Sequence, residues 1–352
     1  MNNRLIEDFK KLHQIPELSF QEFKTHKYIL EQLSPLNCKI IELEPTGILA
    51  FFDYGHTDTI AFRCEMDGLA IKEENDFEYR SKHEGMMHAC GHDGHMAILL
   101  SLAYQLSEGN CSRNVCLIFQ PSEESYGGAY QVINSNEYKE LNIKEVYGLH
   151  LWPNLKKGTV ASRSKVLMAS ATEIDIIING KSSHIANQTE GVDAIKVAIK
   201  LLEKMDNEGI IFNCGTIKAN GVRNVVCDKI QLECSLRSLY KIRRKRFIQN
   251  MLETSLALAN STKAKIDIDY SKYIPEVKND FRLFERYRYL VDQVINPVYQ
   301  AEDFSFYGMD AKTLFFFLGI GNVPGLHTNT FHFDINVLEK GLKLFMKIAT
   351  SH

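Results

Sequence analysis

One block of the sequence changes rhythm, and that change limits the possible folds more than any other feature. From about Met168, strand-like runs at 173–178, 210–217, 229–236 and 265–269 are separated by helical patterns at 192–205 and 241–259. A β-α-β-β-α-β order of this kind fits a small α+β domain with a four-stranded antiparallel sheet, a ferredoxin-like arrangement. The segment from Tyr273 to Asn279, with Pro275, reads as the way out of it.

On either side of the block the pattern is different. Leu5, Phe9 and Leu12 share one helical face, and Pro16 stops the run. Ser19 followed by Glu22 reads as a capping box that opens a second helix through about Leu33. Strands are expected at 39–43, 48–52, 59–64, 114–120 and 145–151, with a helix at 95–106. After the block come a strand at 313–318 and a last helix at 337–348. Helices interleaved with apolar strands indicate an α/β sheet with covered faces. The expected organisation is one α/β domain, residues 1–168 and 279–352, interrupted by an inserted α+β domain, residues 169–278. A chain of 352 residues suits two such cores better than one.

Bulk properties exclude several classes. A net charge of -3 gives no electrostatic case for nucleic acid or a membrane surface. The basic run from Lys241 to Arg246 reads as a solvated helix start. The opening MNNRLIEDFKKLHQ lacks a signal-peptide pattern. No stretch reaches the roughly 18 apolar residues of a membrane span. The eight cysteines (38, 64, 90, 111, 116, 214, 227, 234) are scattered, and the chain reads as cytoplasmic, so no disulfide framework is expected. Most of them read as small buried hydrophobes. Only Cys90 has neighbours that point to chemistry.

Those neighbours sit in five loops that follow or end a strand, or lead into a helix. RCEMDGL carries Asp67, HACGHDGH carries Cys90 and His92, and PSEESYGG carries Glu123 and Glu124. GLHLW carries His150 and GIGNVPGLH carries His327. In open α/β sheets ligands gather at the carboxyl ends of strands. Amide hydrolysis near neutral pH needs an activated water, a polarised carbonyl and a proton for the leaving nitrogen. A metal pair meets the first two needs, and a nearby carboxylate meets the third. Thiolate, imidazole and carboxylate ligands suit zinc, cobalt or manganese. If Glu123 and Glu124 lie on extended backbone, their side chains point opposite ways and divide the roles of metal ligand and water base.

Taken singly each piece is weak. A Cys-Gly-His triplet is more often incidental, a Glu-Glu pair is usually solvated, and His150 alone fits a hydrogen-bonded strand histidine. The force lies in five ligand-type groups and two further carboxylates falling in such loops. Two rival readings remain at this point. One is a thiol amidase with Cys90 as nucleophile and His92 as base, which leaves Glu124, His150 and His327 without a role. The other is a non-catalytic binding protein.

The motifs also carry a resemblance. LHQIPELSFQEF, MHACGHDGHM, PSEES with GGA, GLHLWP, and AEDFSFY followed by LGIGNVPGLH occur in this order over nearly the whole chain. In these the sequence resembles the amidohydrolase branch of the aminoacylase/carboxypeptidase-like metallopeptidases, the hippurate hydrolase-like group. The resemblance implies a two-metal N-acyl-amino-acid amidohydrolase on a zinc-peptidase-like catalytic domain, with the insert acting as lid and dimerisation domain. It implies Cys90 as bridging thiolate and His92, Glu124, His150 and His327 as the other ligands. Glu123 takes the part of general base and acid, and Asp67 orients a ligand histidine. His184, in NGKSSH, corresponds to an oxyanion-stabilising lid histidine. Asn224 and Arg237 correspond to residues that hold the substrate carboxylate. The sequence departs from the family at EMDGLA, where DMDALP is usual, and at HIANQ after His184. Within the branch, the N-terminal stretch and EYRSKHEGMMHACGHDGHM are more similar to N-acetyldiaminopimelate deacetylases than to the aryl-acyl hydrolases. The expected substrate is therefore N-acetyl-L,L-diaminopimelate, cleaved to acetate and diaminopimelate for lysine synthesis, with a hippurate-type substrate as the alternative. A homodimer through the insert is the expected assembly.

Overall fold

The computed structural model describes residues 3–205 and 209–351. It divides into two compact units, Met1–Leu167 with Lys278–Asn296 and Asp303–His352, and Met168–Val277 with Pro297–Glu302.

The first unit opens with α1 (Asn3–His13), which buries Leu5, Phe9 and Leu12, the stripe visible in the sequence. Helix α2 (Phe23–Leu33) follows, but not by the expected capping box. Ser19 instead donates from its hydroxyl to Asp67 Oδ2 at 2.7 Å. Glu22, fully buried, accepts from the Thr46 hydroxyl at 2.6 Å and the Ser122 amide at 2.9 Å. Ser19 is taken by a distant partner and Glu22 by Thr46, Ser122 and the nearby Phe20 amide at 2.9 Å, so the helix begins at Phe23 with no side-chain cap.

Strands β1 (Lys39–Leu43), β2 (Gly47–Phe52) and β3 (Thr59–Glu65) come next. Helix α3 (His92–Glu108) starts three residues earlier than its apolar pattern indicates, because Gly91 adopts φ 87° and turns the chain straight into the helix. A left-handed residue at that turn is readily supplied by glycine. His92 is thereby the first helical residue. Strand β4 (Asn114–Gln120), helix α4 (Gly128–Asn134) and strand β5 (Ile143–Pro153) complete this stretch.

The second unit is built from β6 (Ser170–Asn179), α5 (Ala194–Glu203), β7 (Ile211–Ala219), β8 (Lys229–Ser238), α6 (Lys241–Thr262) and β9 (Lys265–Asp269). Its sheet runs β9-β6-β8-β7, every pair antiparallel, and Tyr273–Ile274 adds a short strand beside β6. Ile174, Ile176 and Ile178 of β6 are buried, alternate with the less buried Asp175 and Ile177, and pack with Val197 and Leu201 of α5 and Met251 of α6. This alternation is what a sheet covered on one face requires.

The chain returns to the first unit with β10 (Lys312–Gly321) and α7 (Leu338–Ala349). The first sheet is mixed, in the order β1-β2-β4-β3-β5-β10, then the short strands Val160–Ser162 and Gln293–Val294. Its centre, β4-β3-β5-β10, is parallel throughout. Those four strands are buried along nearly their whole length, which explains their continuous apolar runs. Helix α3 is buried on most of its surface, and Phe62 of β3 meets Tyr147 at 5.4 Å and Phe345 of α7 at 5.0 Å between ring centres. No helix among the described residues is long and apolar enough to cross a membrane.

Candidate metal centre

Parallel strands bring their carboxyl ends to one edge of a sheet. Here β3 runs out into Asp67, β4 into Glu123 and Glu124, β5 carries His150 near its end, and β10 leads to His327. Cys90 and His92 come to the same edge at the start of α3.

Cys90 is the hub. Its Sγ lies 3.4 Å from His150 Nε2 and 3.3 Å from His327 Nε2. The ligand atoms of Cys90, His92 and His150 all lie within 4.8 Å of one another, and so do those of Cys90, Glu124 and His327. Two candidate three-ligand groups therefore share one sulfur. Glu124 Oε1 is 3.2 Å from His327 Nε2, and His92 Nε2 is 3.9 Å from a carboxylate oxygen of both Glu123 and Glu124.

The imidazoles are oriented for ligation. His150 Nδ1 donates to the Leu151 carbonyl at 2.7 Å, and His92 Nδ1 donates to the Asp67 carbonyl at 2.9 Å. Each bond places the proton on Nδ1 and leaves Nε2 as the lone-pair donor. The donor set of one thiol, three imidazoles and a carboxylate fits zinc, cobalt or manganese. His327 holds its position with φ 61°, a left-handed conformation unusual for a side chain of its size.

Asp67 is fully buried beside His92 and Glu124. Its Oδ2 accepts from Ser19 and from the Glu124 amide at 2.9 Å, and its Oδ1 is 3.4 Å from His92 Nδ1. Burial pushes the carboxyl up, but the contacts with His92, Ser19 and Glu124 outweigh it and hold the group below its ordinary range. The shorter contact to His92 comes from the Asp67 carbonyl rather than from the carboxylate. Glu124 is likewise held low: burial acts upward and is outweighed by the hydrogen bond from His327 and the electrostatic effect of the nearby imidazoles.

The two glutamates do not sit on extended backbone, as the alternation argument supposed. Ser122 has φ 55°, and residues 123–125 form a bend beyond β4. Both carboxylates consequently approach His92 instead of facing apart. What separates them is reach: the group centred on Cys90 includes Glu124, while Glu123 joins His92 and Glu124.

A polar layer that sequence reading missed supports this edge. His95, one turn after His92, donates from Nδ1 to Glu65 Oε2 at 2.5 Å and accepts from the Leu151 amide at 3.0 Å. Burial, reinforced by neighbouring positive groups, drives its pKa well below the ordinary value, so the ring is neutral. Glu65 also pairs with Arg63, whose guanidinium reaches Asp303 at 2.5 Å and Gln120 at 2.8 Å. An arginine inside an apolar strand was the available signal, since buried arginines are almost always paired. Arg63→Met is expected to cost about 3–5 kcal/mol in denaturant unfolding, because two buried carboxylates lose their cation. A cost below about 1 kcal/mol would show that those carboxylates do not depend on it.

His184, Asn224 and Arg237 lie in the second unit. His184 is exposed and accepts from the Ala186 amide at 3.2 Å, and the Ile185 amide donates to the Asn224 carbonyl at 3.0 Å, so these two segments are neighbours. Arg237 is half-buried on β8, opposite Ala171 and Ile211.

Fold and donor set together define a class, the hydrolases that carry candidate metal ligands at the carboxyl edge of an α/β sheet. The family model described as Peptidase family M20/M25/M40 matches residues 61–351, and the chain belongs to that family. It is 33% identical to an uncharacterized hydrolase of Staphylococcus aureus (strain bovine RF122 / ET3-1), over 97% of this chain and 96% of the relative. It is 30% identical to an N-acetyldiaminopimelate deacetylase of Anoxybacillus flavithermus, over 97% and 95%. The YXEP protein of Bacillus subtilis, described as a dinuclear metal binding peptidase of the M20 family, superposes with a TM-score of 0.88 at 28% identity, covering 99% of this chain and 97% of that one.

Proposed function

We propose that this hydrolase is a cytoplasmic, two-metal amidohydrolase that removes the acyl group of an N-acyl amino acid, with N-acetyl-L,L-diaminopimelate as substrate. The observation that carries the reading is the pair of three-ligand groups sharing Cys90, with the Glu123 carboxylate beside His92. When bound, zinc, cobalt or manganese supplies Lewis acidity toward the scissile carbonyl and lowers the pKa of water. Cys90 would contribute to both positions, with His92 and His150 holding one ion and Glu124 and His327 the other. Glu123 takes a proton from water and passes it to the leaving nitrogen. Asp67 holds His92 through its carbonyl and Glu124 through its carboxylate. The family resemblance assigns His184 to the oxyanion and Asn224 and Arg237 to the substrate α-carboxylate, for which a guanidinium offers a two-pronged match. It also assigns a homodimeric assembly.

The choice of substrate is supported by the 30% identical deacetylase and by the motif resemblance. Comparing kcat/KM for N-acetyldiaminopimelate, N-acetyl-lysine and hippurate tests it. Recognition of the distal amino-acid end predicts a strong preference for N-acetyldiaminopimelate, because a substrate lacking that end leaves polar protein groups unpaired. Equal or faster turnover of hippurate would overturn the substrate while leaving the amidohydrolase reading in place.

A further inference from the structure

Behind the metal centre, on the side of α1, lies a buried charged cluster that the proposed chemistry does not use. His13, the last residue of α1, is buried with a carboxylate at each ring nitrogen. Its Nδ1 is 2.6 Å from Asp93 Oδ2 and its Nε2 is 3.1 Å from Glu73 Oε1. A ring facing two carboxylates donates at both nitrogens and is a cation. Burial pushes the imidazole down, but the bonds to Asp93 and Glu73 outweigh it and raise its pKa to about 9.

The two ends of the cluster lead to different metal ligands. Asp93 follows His92 in the first turn of α3, and its other oxygen accepts from the Gly94 amide at 2.8 Å. Glu73 accepts from the Asn75 amide group at 3.2 Å, and that group donates to the Phe331 carbonyl at 3.0 Å. The Glu74 amide donates to the Asn329 carbonyl at 2.9 Å. Residues 329–331 continue the segment that bears His327, whose own amide donates to the Ala89 carbonyl at 2.8 Å. The cluster thus ties the turn carrying His92 to the segment carrying His327. These two histidines belong to the two different groups around Cys90.

We propose that His13, clamped between Asp93 and Glu73, is a positioning residue of the metal centre that fixes the spacing of His92 and His327 about Cys90. The inference rests on the two-metal reading. Partners behind a ligand set its angle and reach, and their removal lowers metal affinity by about 10- to 100-fold in comparable sites. A cluster that served folding alone would change stability and leave affinity untouched.

The test is a titration of the apo full-length protein with Zn²⁺ against a competing chelating dye, with apo thermal unfolding measured alongside. Two variants divide the clamp, since an asparagine amide nitrogen occupies the place of His Nδ1 and a glutamine amide nitrogen that of Nε2. His13→Gln keeps the Glu73 bond, loses the Asp93 bond, and is expected to bind Zn²⁺ about 10- to 100-fold more weakly. His13→Asn keeps the Asp93 bond, loses the Glu73 bond, and is expected to weaken binding to a similar degree, because the tie between the two segments needs both halves. If the His13 variants do not fold, Glu73→Gln, which keeps the size of the side chain, takes their place and is expected to bind Zn²⁺ more weakly than wild type. Unchanged Zn²⁺ affinity in a folded variant with lowered thermal stability would overturn the proposal. A wild-type protein that binds no Zn²⁺ would instead bring down the two-metal reading itself.

Discussion

Removal of divalent metal is expected to abolish N-acyl-amino-acid hydrolysis, and Zn²⁺, Co²⁺ or Mn²⁺ is expected to restore it. Without an ion, no described residue at the carboxyl edge of the sheet is placed to polarise an amide carbonyl and lower the pKa of water together. The side chains are arranged for ions in their place: Cys90 Sγ lies between two imidazole Nε2 atoms, and the Nδ1 atoms of His92 and His150 are committed to backbone carbonyls. Because the sulfur belongs to both groups, Cys90→Ser should lower the content of both ions, a hydroxyl staying protonated where a thiol does not. Metal analysis before and after dialysis against a chelator, paired with an activity assay, provides the check. Full activity in the chelated protein, combined with complete loss on thiol alkylation, would mean that Cys90 acts as a nucleophile and the enzyme is a thiol amidase.

How legible this site was in the sequence depended on the range of the contacts. Cys90, His92, Glu124, His150 and His327 stood out because each lies near the end of an apolar run or the start of a helix, and the parallel centre of the sheet carries those ends to one edge. Local periodicity also located most strands to within a few residues, and 265–269 without error. Contacts between residues far apart in the chain left no such trace. Ser19 and Glu22 have the spacing of a helix cap, yet Ser19 bonds Asp67, and Glu22 bonds Thr46 and Ser122 besides the nearby Phe20 amide. Arg63 and Asp303 are 240 residues apart and His13 and Asp93 are 80 apart, so no window of sequence contains either pair. The bend that turns Glu123 and Glu124 toward the same histidine depends on Ser122 at φ 55°, and serine gives no warning of such a conformation as glycine does.

That bend leads to the second large effect. Glu123→Gln is expected to keep the fold and both ions while kcat falls on the order of 10²-fold or more, the usual scale for loss of a general base. The neutral amide has the size of the carboxylate and can still hold water, but it cannot take up a proton. Glu124→Gln should behave differently. Glu124 belongs with Cys90 and His327, its Oε1 is 3.2 Å from His327 Nε2, and its backbone amide is held by Asp67 at 2.9 Å. Its ionised form is favoured by His327 and His92 against the effect of burial, so the charge removed is one that the site is built around. Loss of metal is the expected result there, with activity falling in proportion. Measuring bound metal and kcat for both variants separates the roles. Should Glu123→Gln lose metal while Glu124→Gln keeps it and loses turnover, the assignment of ligand and base within this pair is reversed.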